Sequence, residues 1–238
     1  MSNSPLDHRL QPAASMVVIL LLAFASQTAA QRVPDKNSVD KILLLKRAVV
    51  IVTTVDRQGK PLLQGSGFFV AADRVVTNMH VIKGAGLIQI EMFDGHTSKV
   101  QNIVAVNERD DLALLQLETP SPDTSILRLA ESAPLEGEAI LVMSNPRGSQ
   151  WKPTEGKVGA IWRFKGTGNR IQITASVLPG SSGGPVVDRE GNVVGIAVMH
   201  LESNDDLNFA VPAKSLKALQ TSLGAPSGAQ ASLPAYVR

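Results

Sequence analysis

The sequence has 238 residues, of which 44% are hydrophobic, 18% charged and 4% aromatic, with no cysteine and a formal net charge of +2. That apolar fraction supports a packed core and excludes wholesale disorder. The lack of cysteine excludes disulfides, thiolate zinc sites, iron–sulfur centres and a cysteine nucleophile. The small, scattered charge and the few aromatics argue against a nucleic-acid partner, and 19 Gly with 14 Pro point to many turns and short strands.

Residues 16–25, Met-Val-Val-Ile-Leu-Leu-Leu-Ala-Phe-Ala, form an apolar run that is too short for a bilayer, which takes about 20 residues. Arg9 and the amino terminus precede it, and Ser26-Gln27-Thr28-Ala29-Ala30 follows with small residues. This layout predicts a signal peptide over 1–30, with Ala30 as the expected cleavage point and no stable membrane span; the plainer alternatives are an uncleaved N-terminal anchor or a buried strand. An exported, cysteine-free chain fits a bacterial envelope, periplasmic or secreted, better than an animal secretion.

Residues 31–40 are a polar lead-in, and Asp40–Arg47 has the spacing of a short helix. From there the period is two. Strands are expected at Ala48–Val55, Gly67–Val70, Arg74–Thr77, Ile88–Met92, Lys99–Val106 and Leu112–Leu117. After Thr119-Pro120-Ser121-Pro122-Asp123-Thr124, which reads as a linker, a second set follows. Its strands are Ala139–Met143, Val158–Phe164, Ile171–Thr174, Pro185–Val187, Val193–Met199 and Leu207–Val211. Turn signals at Gln58-Gly59, Asp94-Gly95 and Glu190-Gly191-Asn192 separate them. The expected fold class is all-β: two small antiparallel barrels, about 45–118 and about 127–212. A short helix over Lys214–Ser222 and a flexible tail over 223–238 complete it.

The strongest chemical signal is Pro179-Gly180-Ser181-Ser182-Gly183-Gly184-Pro185. A serine hydroxyl becomes a useful nucleophile when a base takes its proton and donors hold the oxyanion it creates. Gly180 lets the backbone turn so that its N–H and that of Ser182 face one hollow. Taken alone, the segment could equally be a Gly/Ser-rich surface loop. His80, in Thr77-Asn78-Met79-His80, follows one expected strand, and Asp111, in Arg109-Asp110-Asp111-Leu112, precedes another. Together they can supply the base and the carboxylate that orients it. The plainer readings are a core histidine and a solvated carboxylate, with Asp110 as an alternative to Asp111. The G-x-S-x-G elbow of an esterase also matches 180–184. It requires a helix after the serine and the order Ser, acid, His. Gly183-Gly184-Pro185 starts helices poorly, and His200 is the sole later histidine.

With these residues the chain resembles the trypsin-like serine peptidases of the chymotrypsin fold, on the cysteine-free branch that includes the bacterial HtrA (Deg) proteases. The resemblance rests on GSGFFV (65–70), TNMHVI (77–82), DLALL (111–115), SNPRG (144–148) and TEGKVGAI (154–161). It continues through PGSSGGPVV (179–187), GNVVGIAV (191–198) and NFAVP (208–212). The order His, Asp, Ser is also that of chymotrypsin. The resemblance implies a peptidase domain over 31–222 with its site in the cleft between two barrels. In it His80 is the general base, Asp111 orients it, Ser182 is the nucleophile, and the N–H groups of Gly180 and Ser182 form the oxyanion hole. Met79 stands where the family often has alanine, and Ser144 where glycine is usual. The likeness is to the protease core of HtrA proteins, and their C-terminal PDZ domain is not expected in this length.

In this family the residue six before the nucleophile sits at the base of the pocket for the residue preceding the cut. Here it is Ser176 rather than an acid, which argues against Arg or Lys in that pocket. Ala197, Val198 and Met199 are expected as its apolar wall. Glu202, Asp205 and Asp206 read as a solvated loop rather than a cation site, and no metal or other cofactor is implied. The expected function is an exported serine endopeptidase acting on protein or peptide substrates through an acyl-enzyme. The alternatives are a catalytically silent protease-fold scaffold and, more remotely, a serine esterase. The sequence sets no oligomeric state.

Overall fold

A computed structural model describes residues 36–121, 123–146, 151–164, 168–198 and 207–224. The expected signal peptide over 1–30, the pocket residue Met199, the acidic loop over 201–206 and the tail from 225 lie outside the described residues. Helix α1 (Lys36–Ala48) leads into β1 (Val49–Val55), β2 (Pro61–Ala71) and β3 (Arg74–Asn78). The one-turn helix α2 (Met79–Ile82) follows, then β4 (Leu87–Glu91), β5 (Thr97–Asn107) and β6 (Leu112–Leu117). The second half holds β7 (Ala139–Ser144), β8 (Lys152–Arg163), β9 (Asn169–Ile173), β10 (Pro185–Val187), β11 (Val193–Val198) and β12 (Asn208–Pro212). Helix α3 (Ala213–Gly224) comes last.

Each set of six strands closes into an antiparallel barrel, in the order β1-β2-β3-β6-β5-β4 and β10-β11-β12-β9-β8-β7. The protein is therefore mostly β, with the two-barrel architecture expected. Successive side chains of a strand point to opposite faces, and several strands here are apolar on both because both faces are buried. In β1, Val50 and Val52 fill the first barrel, while Val49 joins a separate cluster that also takes residues of the second barrel. Phe69, Val75, Ala113 and Leu115 likewise point inward, while Phe68, Val76, Leu112 and Leu114 belong to the shared cluster. From the second barrel, Met143, Val187, Val193 and Ile196 join that cluster, and Val142, Val186 and Val194 fill their own barrel. Three cores result: two barrel interiors and one seam. Leu45 of α1 and Leu216 and Leu219 of α3 also pack into the seam.

Several elements are longer than their sequence pattern suggests. Strand β2 begins at Pro61 rather than Gly67, and Pro61–Gln64 is exposed, so no alternation marks it. Its register comes from backbone pairing with β1, Val52 facing Gly65 and Val55 facing Pro61. Strand β8 begins at Lys152 rather than Val158, because its polar first half pairs with β7 from Ser144–Lys152 to Ala139–Lys157. Helix α1 starts four residues before Asp40, with Lys46 and Arg47 in its last turn, where the helix dipole favours cations. No helix among the described residues is long and apolar enough to cross a membrane.

Phe68 is fully buried in the seam. Phe68→Ala is expected to lower unfolding free energy by about 3–5 kcal/mol in urea titration. A loss under about 1 kcal/mol would show the seam to be loosely packed.

Candidate active site

His80 sits in α2, whose Val81 and Ile82 are buried in the first barrel and fix the turn in place. Its side chain keeps 41% exposure, against 17% for Asp111. The Asp111 carboxylate grips His80 twice: Oδ2 lies 2.6 Å from ring Nδ1, and Oδ1 accepts the His80 backbone N–H at 2.8 Å. The Asp111 carbonyl accepts the Met79 N–H at 3.1 Å and Asn78 Nδ2 at 2.9 Å. Asn78 thus lends its amide to Asp111 rather than capping α2.

The β5–β6 turn aims that carboxylate. Asn107 Oδ1 accepts the Asp110 N–H at 3.0 Å, and Asp111 takes a left-handed conformation with φ 58°, which Asp tolerates better than most residues. Asp110 bonds Asn107 Nδ2 at 3.1 Å instead. Of the two adjacent acids, Asp111 faces the histidine. Across the seam, Gly168 N–H donates to the Arg109 carbonyl at 2.9 Å. Arg170 of β9 is largely buried; burial pulls its guanidinium below the usual arginine range, and the charges of Asp110 and Asp111 oppose that shift.

Ser182 lies between β9 and β10 and is 5% exposed. Before it, Ser181 N–H donates to the Leu178 carbonyl at 2.8 Å, closing a four-residue turn with Pro179 second and Gly180 third at φ 93°. Pro followed by Gly with positive φ is the signature of a type II turn. The turned-over central peptide of a type I turn would put that φ near −90°. After Ser182, Gly183 N–H donates to the Ala197 carbonyl at 2.9 Å, and Ala197 N–H donates to the Gly184 carbonyl at 2.8 Å. Gly183 has φ 90°, and a Cβ there would overlap the Ser66 carbonyl oxygen.

Residues 65–196 match the trypsin-like peptidase domain family. The chain belongs to that family. It is 32% identical over 177 residues to the periplasmic serine endoprotease DegP of Escherichia coli K12, covering 70% of this chain and 37% of DegP. It is 31% identical over 183 residues to the anti-sigma-I factor RsgI9 of Acetivibrio thermocellus, covering 77% of this chain and 26% of that protein. The chain therefore spans well under half the length of these curated relatives. Among solved structures, the HtrA-type protease AlgW with a tripeptide aligns with TM-score 0.69 and 26% identity, over 78% of this chain and 62% of that one. The active form of the Rv3671c protease from M. tuberculosis shares the fold, with TM-score 0.70 and 23% identity over 82% and 89% of the two chains.

For the trypsin-like chain, the expected site residues fall into two groups. His80, Asp111, Gly180 and Ser182 stand on the segments just described, with His80 and Asp111 in direct contact. Ser176 is exposed, between β9 and the turn. Ala197 is fully buried within the second barrel and meets the Gly183–Gly184 backbone through its own, and Val198 packs into the seam. Ser66, Thr77 and Ser144, which the motif reading quoted without a role, tie the Ser182 segment into its surroundings. Ser66 N–H donates to the Ser182 carbonyl at 2.8 Å, Thr77 Oγ1 to the Ser66 carbonyl at 2.7 Å, and Ser144 Oγ to Ser181 Oγ at 3.0 Å. Small polar residues within buried strands were their signal, because a buried hydroxyl needs a partner.

Gly183→Ala combines overpacking against backbone with a left-handed φ, and is expected to cost roughly 2–5 kcal/mol. Thermal unfolding checks it; an unchanged midpoint would mean that the segment does not pack on Ser66 as described.

Proposed function

We propose that this chain is an exported serine endopeptidase that cleaves peptide bonds through an acyl-enzyme. Ser182 is the nucleophile, His80 the general base, and Asp111 the acid that orients it. The observation that carries the reading is the double grip of Asp111 on His80. A carboxylate against Nδ1 keeps the proton there, so Nε2 presents its lone pair outward. The backbone bond from His80 N–H to the same carboxylate adds a second anchor.

In the first half-reaction Nε2 takes the Ser182 hydroxyl proton as Oγ bonds to the scissile carbonyl carbon. The carbonyl oxygen gains the electron pair and sits against the Gly180 and Ser182 N–H groups. Collapse of this tetrahedral species breaks the C–N bond, and the imidazolium gives its proton to the leaving amine. Water then repeats the sequence on the ester and frees Ser182. The type II turn at Leu178–Ser181 supports a donating Gly180 N–H before substrate arrives. Asp111 offsets the positive charge that His80 carries in both transition states.

For the residue preceding the cut, Ser176, Val198 and Met199 offer no carboxylate, and the reading favours a small or medium apolar side chain over Arg or Lys. The peptidase domain spans 31–222, with the signal segment before it directing export. The periplasmic location in DegP's name supports that placement for a homologous chain.

Casein digestion by the mature chain tests the assignment. Ser182→Ala and His80→Ala are expected to abolish it, and Asp111→Asn to slow it about ten-thousandfold. Digestion that persists in Ser182→Ala contradicts the nucleophile. An inert parent chain favours the silent scaffold.

A further inference from the structure

Ser66 is fully buried in β2 and belongs to the first barrel, yet its N–H and hydroxyl attach to the nucleophile segment of the second. Its hydroxyl donates to the Gly180 carbonyl at 2.7 Å and accepts the Asn145 N–H at 3.0 Å. Because an N–H already points at the oxygen, the hydroxyl proton is directed to Gly180; it cannot turn back toward Asn145. The chain of bonds runs from the end of β7, through a serine of the other barrel, into the turn beside the nucleophile.

The peptide so gripped lies between two others. Gly180 N–H belongs to the peptide before it and Ser182 N–H to the peptide after it. The Gly180–Ser181 peptide has its carbonyl on Ser66 Oγ and its N–H on the Leu178 carbonyl, so both of its polar groups are held. With the middle peptide fixed, the two flanking N–H groups keep their spacing, and both are referred to the barrel that carries His80. We propose that the Ser66 hydroxyl is a positioning group for the oxyanion hole, presetting its two donors from across the seam. This rests on the catalytic reading above and adds to it a residue outside the triad and the hole.

The side chain can be tested apart from the backbone, because the Ser66 N–H bond to the Ser182 carbonyl and the Thr77 bond to the Ser66 carbonyl survive Ser66→Ala. The probe is an alkyl fluorophosphonate: the serine Oγ bonds to phosphorus as fluoride leaves and the hydroxyl proton goes to the base, with the phosphoryl oxygen taking the oxyanion position. Two quantities are read by intact mass: the rate constant and the end-point fraction labelled. Ser66→Ala is expected to label to the parental end-point, at a rate about ten- to a hundredfold lower, the scale of a misplaced oxyanion donor. Ser66→Cys, with a weaker donor of similar bulk, is expected to fall between. A merely structural role would instead lower the end-point and leave the rate of the folded fraction unchanged. A labelled parent with Ser66→Ala within about twofold of its rate overturns the Ser66 role alone. If Ser66→Ala does not fold, a parental rate in Ser66→Cys does the same. A parent that takes no probe overturns the catalytic reading itself.

Discussion

The Ser182 segment of the second barrel hangs on the first barrel. Ser66 N–H holds the Ser182 carbonyl, Ser66 Oγ holds the Gly180 carbonyl, and the Ser66 carbonyl leaves no room for a side chain at Gly183. These contacts exist because β1, β2, β3 and β6 are apolar on both faces, so one face fills the barrel and the other glues it to its neighbour. The hydrophobic seam supplies undirected cohesion. The hydrogen bonds at its edge supply the direction that chemistry needs. A site divided between two barrels is only as well ordered as the surface joining them.

The acid side of the site follows the same plan. Asp111 stands on the β5–β6 turn of the first barrel, and Gly168, from the second, bonds the Arg109 carbonyl of that turn. Arg170 adds a buried positive charge whose field reaches Asp110 and Asp111. Asp111 also occupies a left-handed backbone conformation, a local cost of about 1–2 kcal/mol for most residues. Two carboxylate bonds to His80 and two bonds to the Asp111 carbonyl offset it. The result is a carboxylate set by its turn and locked by its partner.

Much of this was legible in the residues. Alternation in Ile88–Met92 and unbroken apolar runs such as Leu112–Leu115 announced strands, and Gly180 announced a backbone turn before Ser182. The two-barrel division followed from the Pro-containing segment after Leu117. What escaped was whatever depends on partners distant in sequence. Pro61–Gln64 and Lys152–Lys157 are strand only because a neighbour's backbone lies alongside, and exposed side chains carry no trace of that. Gly183 reads as a loop glycine until Ser66 is seen beside it. Asp110 and Asp111 are separated in the sequence by the family resemblance alone, and in the structure the left-handed φ of Asp111 and the Asn107 contacts of Asp110 set their directions apart. Ser66 stood inside a quoted motif and Ser144 stood out only as a departure from glycine, because nothing local says which carbonyl or hydroxyl they will meet.

The most direct measurement is the location of a covalent adduct. After reaction with a fluorophosphonate and digestion with trypsin, residues 171–189 fall in one peptide, bounded by Arg170 and Arg189 and containing Ser176, Ser181 and Ser182. Fragment-ion sequencing assigns the modified residue. The account predicts a single adduct, on Ser182, that disappears in His80→Ala. An adduct on Ser181 or on a serine outside this peptide, or labelling of Ser182 indifferent to the loss of His80, would contradict it.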